Sequence, residues 1–153
     1  MSRREQIKLT SPEQAAFLAE QRIVACATNG VRGWPHLMPL WYVIREDEIW
    51  AWTYAKSQKV RNLERDPRAT LQVEDGEAYD QLRGVMIQAQ TVLHRDHDVV
   101  AALGAELMVR YGGGAFTPEI EAAVQAQAAK RVGLQFRAER VMSWDHRKLG
   151  GTY

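Results

Sequence analysis

One cysteine, Cys26, stands in 153 residues. That excludes a disulfide framework within the chain and sets the expectation of a reducing, cytoplasmic setting. Excess charge of either sign is missing as well. Twenty Lys and Arg face nineteen Asp and Glu, a formal net charge of +1, so the total points neither to nucleic acid nor to an acidic membrane surface. No apolar run is long enough to span a bilayer, and the first eight residues are polar and charged rather than an apolar signal. Repeats, low-complexity tracts and long linkers are absent. So are a Rossmann glycine pattern, a P-loop, and a Ser-His-Asp order with a strand–turn–helix elbow. What remains is 46% hydrophobic and 25% charged, which suits a packed core. The expectation is a single domain over 1–153, with no nucleic-acid and no membrane partner.

The most informative stretch runs from Ile49 to Arg68. Its first part alternates as a strand does, with Trp50, Trp52 and Tyr54 on one face and Ile49, Ala51 and Thr53 on the other. Ser57 then occupies a helix N-cap position, Val60 and Leu63 give a short helix a buried side, and Pro67 ends it. A helix start of this kind presents orphan backbone N–H groups, and here it carries Ser57, Lys56 and Lys59, with Arg61, Arg65 and Arg68 further along. Either it binds an anion, since orphan donors and the positive end of the helix dipole point the same way, or it is a solvated basic connector.

In chain order, Ser11-Pro-Glu-Gln14 reads as a capping box with proline at the first helical position, opening a helix to about Gln21. Arg22–Thr28 reads as a buried strand, and Asn29-Gly30 with Gly33 as turn chemistry. A second strand spans Pro35–Ile44, where Pro39 implies an edge, a bulge or a missing ladder bond. Ile49–Thr53, Arg68–Glu74, Val85–His94 and Val132–Ala138 complete six strands, with Val141–Trp144 extending the sheet or packing on it. Helices are expected over Asp96–Tyr111 and from Thr117 to about Lys130. Strands joined mostly by tight turns argue for an antiparallel barrel with flanking helices rather than a wound parallel sheet.

Several pieces stand in a suggestive order: the Gly33-Trp-Pro-His36 hairpin, the Pro39-Leu-Trp-Tyr strand, Trp52-Thr53, Ser57-Gln-Lys59-Val-Arg-Asn-Leu63 and Asp66-Pro-Arg68. Together they resemble the pyridoxamine-phosphate-oxidase-like flavin and deazaflavin oxidoreductases, over about residues 11–95 and more loosely to Trp144. The resemblance implies a mainly β fold, an antiparallel split β-barrel, and a homodimer with two cofactor sites at the subunit interface. It implies that Lys59 and Ser57 hold a cofactor phosphate, with Lys56 or Arg61 assisting. Backbone around Met38, Pro39, Leu40 and Trp41, and around Trp52 and Thr53, would line the cofactor ring. His36 stands where the family places a ring- or substrate-contacting side chain. Tyr54, like His36, is a candidate proton donor near the substrate, and Trp144 would close over a neighbour's site.

The tail Ser143-Trp-Asp-His-Arg-Lys-Leu149 does not carry the paired arginines with which true pyridoxamine phosphate oxidases grip substrate. Length and the Ser-Gln-Lys piece match the deazaflavin branch better. The expected function is therefore hydride transfer from reduced coenzyme F420 to a small conjugated organic substrate. The alternatives are an FMN-dependent oxidoreductase of the same fold and a non-catalytic flavin or haem carrier, with His36, His94 and His146 as haem candidates. No metal site is expected: His94 and His97 straddle a strand end and a helix start, without a third ligand nearby.

Overall fold

The computed structural model describes residues 1–151. Strands are β1 (Val24–Asn29), β2 (Pro35–Leu40), β3 (Val43–Arg45), β4 (Glu48–Tyr54), β5 (Arg68–Asp75), β6 (Arg83–His94) and β7 (Arg131–Asp145). Helices are α1 (Arg3–Gln6), α2 (Ser11–Glu20), α3 (Gln58–Arg65), α4 (His97–Tyr111) and α5 (Pro118–Ala128), and short 3-10 turns cover Tyr79–Gln81 and His146–Leu149. All seven strands lie in one antiparallel sheet of order β2-β1-β5-β6-β7-β4-β3. This curled, mainly β architecture with flanking helices is the split barrel that the resemblance implied.

The second expected strand is two. It breaks at Trp41-Tyr42, and its halves sit at opposite edges of the sheet: β2 pairs with β1, β3 with β4. Three residue steps from Leu40 to Val43 reach at most about 11 Å, so the sheet must curl until its edges nearly meet. Tyr42 holds that crossing. Its ring is fully buried, and its hydroxyl donates to the Leu18 carbonyl at 2.6 Å. Arg110 of α4 lays its guanidinium over the ring and donates to the carbonyls of Leu18, Ala19 and Gln21 at the end of α2. Pro39 fits because β2 is an edge strand.

Other differences are local. Thr10, not Ser11, caps α2: Thr10 Oγ1 accepts from the Glu13 amide, and the Glu13 carboxylate accepts from the Thr10 amide at 2.7 Å. The box is real but starts one residue earlier, because a threonine there spaces the glutamate at the third helical position. The polar N-terminus forms the short helix α1, capped by Ser2. Its following segment is tied to the sheet, with the Asp145 amide donating to the Ile7 carbonyl at 2.7 Å. Val141–Trp144 belongs to one long β7, in which Glu139 is an extra residue between the Gln88–Arg140 and Ala89–Ala138 pairs.

The inner face of the curl is the core. Ile49, Ala51, Leu71, Val73, Val85, Leu134 and Phe136 are all buried there. The outer face of β4 carries Trp50 and Trp52, which pack against Leu103 and Leu107 of α4. A Cβ added at Gly104 would lie 2.3 Å from the Trp52 ring, so only glycine lets α4 approach that closely. The tryptophans are thus a helix-to-sheet layer. Cys26 is fully buried among core side chains, and burial pushes its thiol up to about 12.

Candidate cofactor site

Cross-strand partners point the same way. The inward residues Val24, Cys26 and Thr28 of β1 face Leu40, Met38 and His36 of β2, so these three look into the curl as well. Yet Met38 is 47% exposed. Nothing pairs with the outer edge of β2 among the described residues, and the interior is open along it. The sequence puts α3 beside this opening: β4 ends at Tyr54, and Ser57 caps α3 by accepting from the Val60 amide at 3.4 Å.

Lys59 turns inward. Its residue is 6% exposed, and its ammonium donates to Thr53 Oγ1 at 3.2 Å. No carboxylate pairs with it among the described residues. Burial lowers its pKa, with the Cys26 thiol acting weakly in the opposite direction. Next to it Asn62, fully buried, donates to Thr28 Oγ1 at 3.1 Å and accepts from Gln58 Nε2 at 2.9 Å. The polar side chains Thr28, Thr53, Lys59 and Asn62 are therefore buried together in two hydrogen-bonded pairs beside α3. The amides of Gln58 and Lys59 have no intrahelical acceptor.

The far end of α3 is pinned to β1. Asp66 accepts from Asn29 Nδ2 at 2.9 Å and from the Arg68 guanidinium, and Arg65 donates to the Asn29 carbonyl. The Arg68 guanidinium, then the Asn29 amide, hold the Asp66 carboxyl well below the usual carboxylate range. This is what the Asp-Pro-Arg piece does: it fixes the angle at which α3 meets the barrel opening.

Two cavities flank that opening. One, about 340 Å³, lies between the β1–β2 hairpin and α3, lined by Gly30, Trp34, His36, Gln58 and Asn62. The Nδ1 atom of His36 is buried there without a hydrogen-bond partner. The other, about 400 Å³, brings together Pro39, Leu40, Trp41, Trp52 and Tyr54 with Arg131. Trp41 is stacked on Tyr111 with centroids 4.4 Å apart and planes within 5°, so this wall is set by α4.

The expected site residues thus fall into groups. His36 lines the first cavity, Lys59 reaches Thr53 just beyond the Ser57 cap, Met38 is half-exposed on β2, and Pro39, Leu40, Trp41, Trp52 and Tyr54 share the second cavity. Lys56 and Arg61 are exposed at either side of α3's start. Trp144 is elsewhere: it lies across Gly84, whose added Cβ would meet the ring at 2.4 Å. Thirteen residue steps along β7 separate it from Arg131, on the order of 40 Å of strand, so it joins this site only from another chain. Among the described residues no group of three or more His, Cys, Asp or Glu could hold a metal ion. Instead, His94 pairs with Gln135 and His97 with Gln125. Gln72 and Gln88 are exposed on the outer face of β5 and β6.

Sequence reasoning missed Thr28 and Arg131. Thr28 was legible as the polar end of the inward series Val24, Cys26, Thr28. Arg131 carried no such signal, since only the register Tyr54–Arg131 across β4 and β7 places it.

A family model described as pyridoxamine 5'-phosphate oxidase matches residues 10–145. The chain belongs to that family. Its members bind flavins. No curated protein matches the chain. Among solved structures, a conserved hypothetical protein of Mycobacterium tuberculosis is similar at 39% identity over 100% of this chain and 95% of that one, with a TM-score of 0.91. An F420 reductase shares the fold at 21% identity, covering 82% of this chain and 93% of that one, TM-score 0.66. A haem storage protein from Vibrio cholerae shares it at 18% identity, covering 87% and 94%, TM-score 0.68. Among the described residues no helix is long and apolar enough to cross a membrane.

Proposed function

We propose that this family member is a homodimeric oxidoreductase that binds coenzyme F420 at the barrel opening and reduces a small conjugated organic substrate. One observation carries the reading: the Lys59 side chain is largely buried, and among the described residues its ammonium has a single threonine partner and no counter-ion. Burying an unpaired charge costs several kcal/mol, and a phosphate brought to the Ser57–Lys59 helix start offsets that cost with charge-assisted bonds. The residues present therefore fit a phosphate-bearing cofactor. Reduced deazaflavin supplies hydride when bound. The protein's part is to hold and orient. Ser57, Lys59 and the first amides of α3 anchor the phosphate, while Lys56 and Arg61 extend the positive field outward. Backbone at Met38–Trp41 and Trp52–Thr53 lines the ring, and Tyr54, His36 or water returns a proton to product.

Support for the dimer comes from the open edge. Trp34 is 78% exposed, Leu37 64% and Met38 47%, all on or beside β2, whose outer edge has no partner strand among the described residues, and a second copy would cover them. Trp144 of that copy is then the one able to approach the site. Sedimentation should give twice the chain mass, and a monomer would remove the partner's contribution.

The family favours FMN as the second cofactor, and the haem-storage fold relative makes a carrier the non-enzymatic alternative. Fluorescence titration with F420 and, separately, FMN distinguishes them. The proposal expects tight, saturable F420 binding and weak FMN binding. Lys59→Ala should weaken cofactor affinity by about 1.5–3 kcal/mol, the range for a hydrogen bond to a charged group. Unchanged affinity in that variant removes the phosphate assignment. Preference for FMN moves the protein to the flavin branch, and binding of haem alone makes it a carrier.

A further inference from the structure

The second cavity holds a cation that the cofactor reading does not use. Arg131 opens β7, directly across from Tyr54 of β4. Its guanidinium lies 4.1 Å from the Tyr54 ring centroid and 4.7 Å from that of Trp52. Its one hydrogen bond is long, from Nε to Gln127 Oε1 at 3.4 Å, and it forms no ion pair among the described residues. The contrast with the other buried or half-buried arginines is clear. Arg45 grips Glu106, Arg83 grips Glu20 and Asp75, and Arg110 is occupied by backbone carbonyls.

A guanidinium stacked on rings has its flat faces used and its in-plane N–H fork unused. Here Arg131 lines a cavity of about 400 Å³ together with Pro39, Leu40, Trp41 and Trp52. Such walls accept a planar, conjugated body. The fork matches a carboxylate in two parallel bonds. A phosphate dianion would call for more than one cation, and among the described residues Arg131 is the single charged side chain lining this cavity.

We propose that this cavity binds a planar conjugated carboxylic acid, with Arg131 reading the carboxylate and the Trp41–Trp52 walls reading the ring system. As a binding site it stands on its own. As the substrate class of the oxidoreductase it rests on the cofactor reading above.

The test uses the purified protein without added cofactor, titrated calorimetrically with trans-cinnamate and with its neutral amide, cinnamamide. The acid should bind at least about tenfold more tightly than the amide, as a charge-assisted bidentate pair does relative to a neutral one. Arg131→Gln should abolish that preference. Arg131→Lys, which keeps the charge and loses the fork, should keep part of it, and this second variant guards against a folding defect in the first. Equal affinity for acid and amide in the unaltered protein, no binding of either, or a preference that survives Arg131→Gln overturns the proposal. F420 and FMN titrations of Arg131→Gln should match the unaltered protein. A loss there as large as the loss of cinnamate would assign Arg131 to the cofactor instead and equally overturn it. If neither cofactor binds the unaltered protein while the cinnamate result holds, the cofactor reading falls and this site remains.

Discussion

The two ends of the barrel interior are built to opposite rules. On the closed side, along β5, β6 and β7, the inward Leu71, Val73, Val85, Leu134 and Phe136 are apolar and at most 1% exposed, with Thr91 of β6, opposite Phe136, as a polar exception. At the split side, the same inward phase delivers Thr28 and Thr53, and α3 adds Lys59 and Asn62, again with exposures of 6% or less. Burial is similar and chemistry is not. Apolar side chains stabilise in proportion to the area removed from water, whereas a buried ammonium with one neutral partner is a net cost. Stability of the fold is therefore concentrated on the closed side. The split side spends some of it on polar groups, among them the Lys59 ammonium that the proposed cofactor phosphate would pair.

That contrast breaks if the closed side tolerates truncation. Phe136→Ala removes a ring packed beside Ile49 in the core and should cost about 3–5 kcal/mol in urea unfolding. A loss below about 1 kcal/mol would mean that the closed side is not the stabilising half. The helix layer behind the split is next in size. Gly104→Ala places a methyl against the Trp52 ring, and overpacking of this kind costs about 1–3 kcal/mol. Because Trp52 also walls the second cavity, the same variant should change tryptophan emission and cinnamate affinity together. A stable variant with unaltered emission would show that α4 and β4 are less tightly joined than described.

The smallest effect has the opposite sign. Lys59→Met keeps length and removes the charge, and it should raise stability by about 1 kcal/mol near neutral pH while weakening cofactor binding. The pH dependence follows from the lowered Lys59 pKa. Between its folded value and its ordinary one the unfolded chain binds more protons, so the penalty is full at lower pH and relieved as pH rises through that window. The advantage of Lys59→Met should accordingly shrink on alkalisation. A variant that is less stable than the unaltered protein at pH 7 would show Lys59 to be a structural anchor rather than a waiting ligand. Asp66 works the other way. Its lowered pKa contributes stability present above the ordinary aspartate range and lost as pH falls below it.

Much of the fold was legible in local patterns. Alternation in Ile49–Tyr54 separated the strand's two faces, because a strand's side-chain period is two whatever it packs against, but it did not show that the Ile49 face, rather than the tryptophan face, lines the barrel interior. Ser57, Thr117 and Pro67 marked helix boundaries through their own backbone chemistry. The split of Pro35–Ile44 into two strands was not legible. Residues on both sides of Trp41-Tyr42 have strand character, and only pairing with β1 on one side and β4 on the other separates them. Half of the site was named from the ordered motif pieces. Its grouping into an opening and a second cavity was not, since that depends on where α4 and the start of β7 lie.

The amino-acid sequence by itself determined most of the elements, the alternation of the strands, the capped basic start of α3 and the family. These depend on neighbours a few residues apart, where spacing and side-chain type are sufficient. Tertiary structure alone decided that Lys59 points inward without a counter-ion among the described residues, that Arg131 lies against Trp52 and Tyr54, and that Trp144 stands far along β7 from both. Those relations depend on sheet register and curl, which arise from packing summed over the whole chain and are written in no short stretch of it.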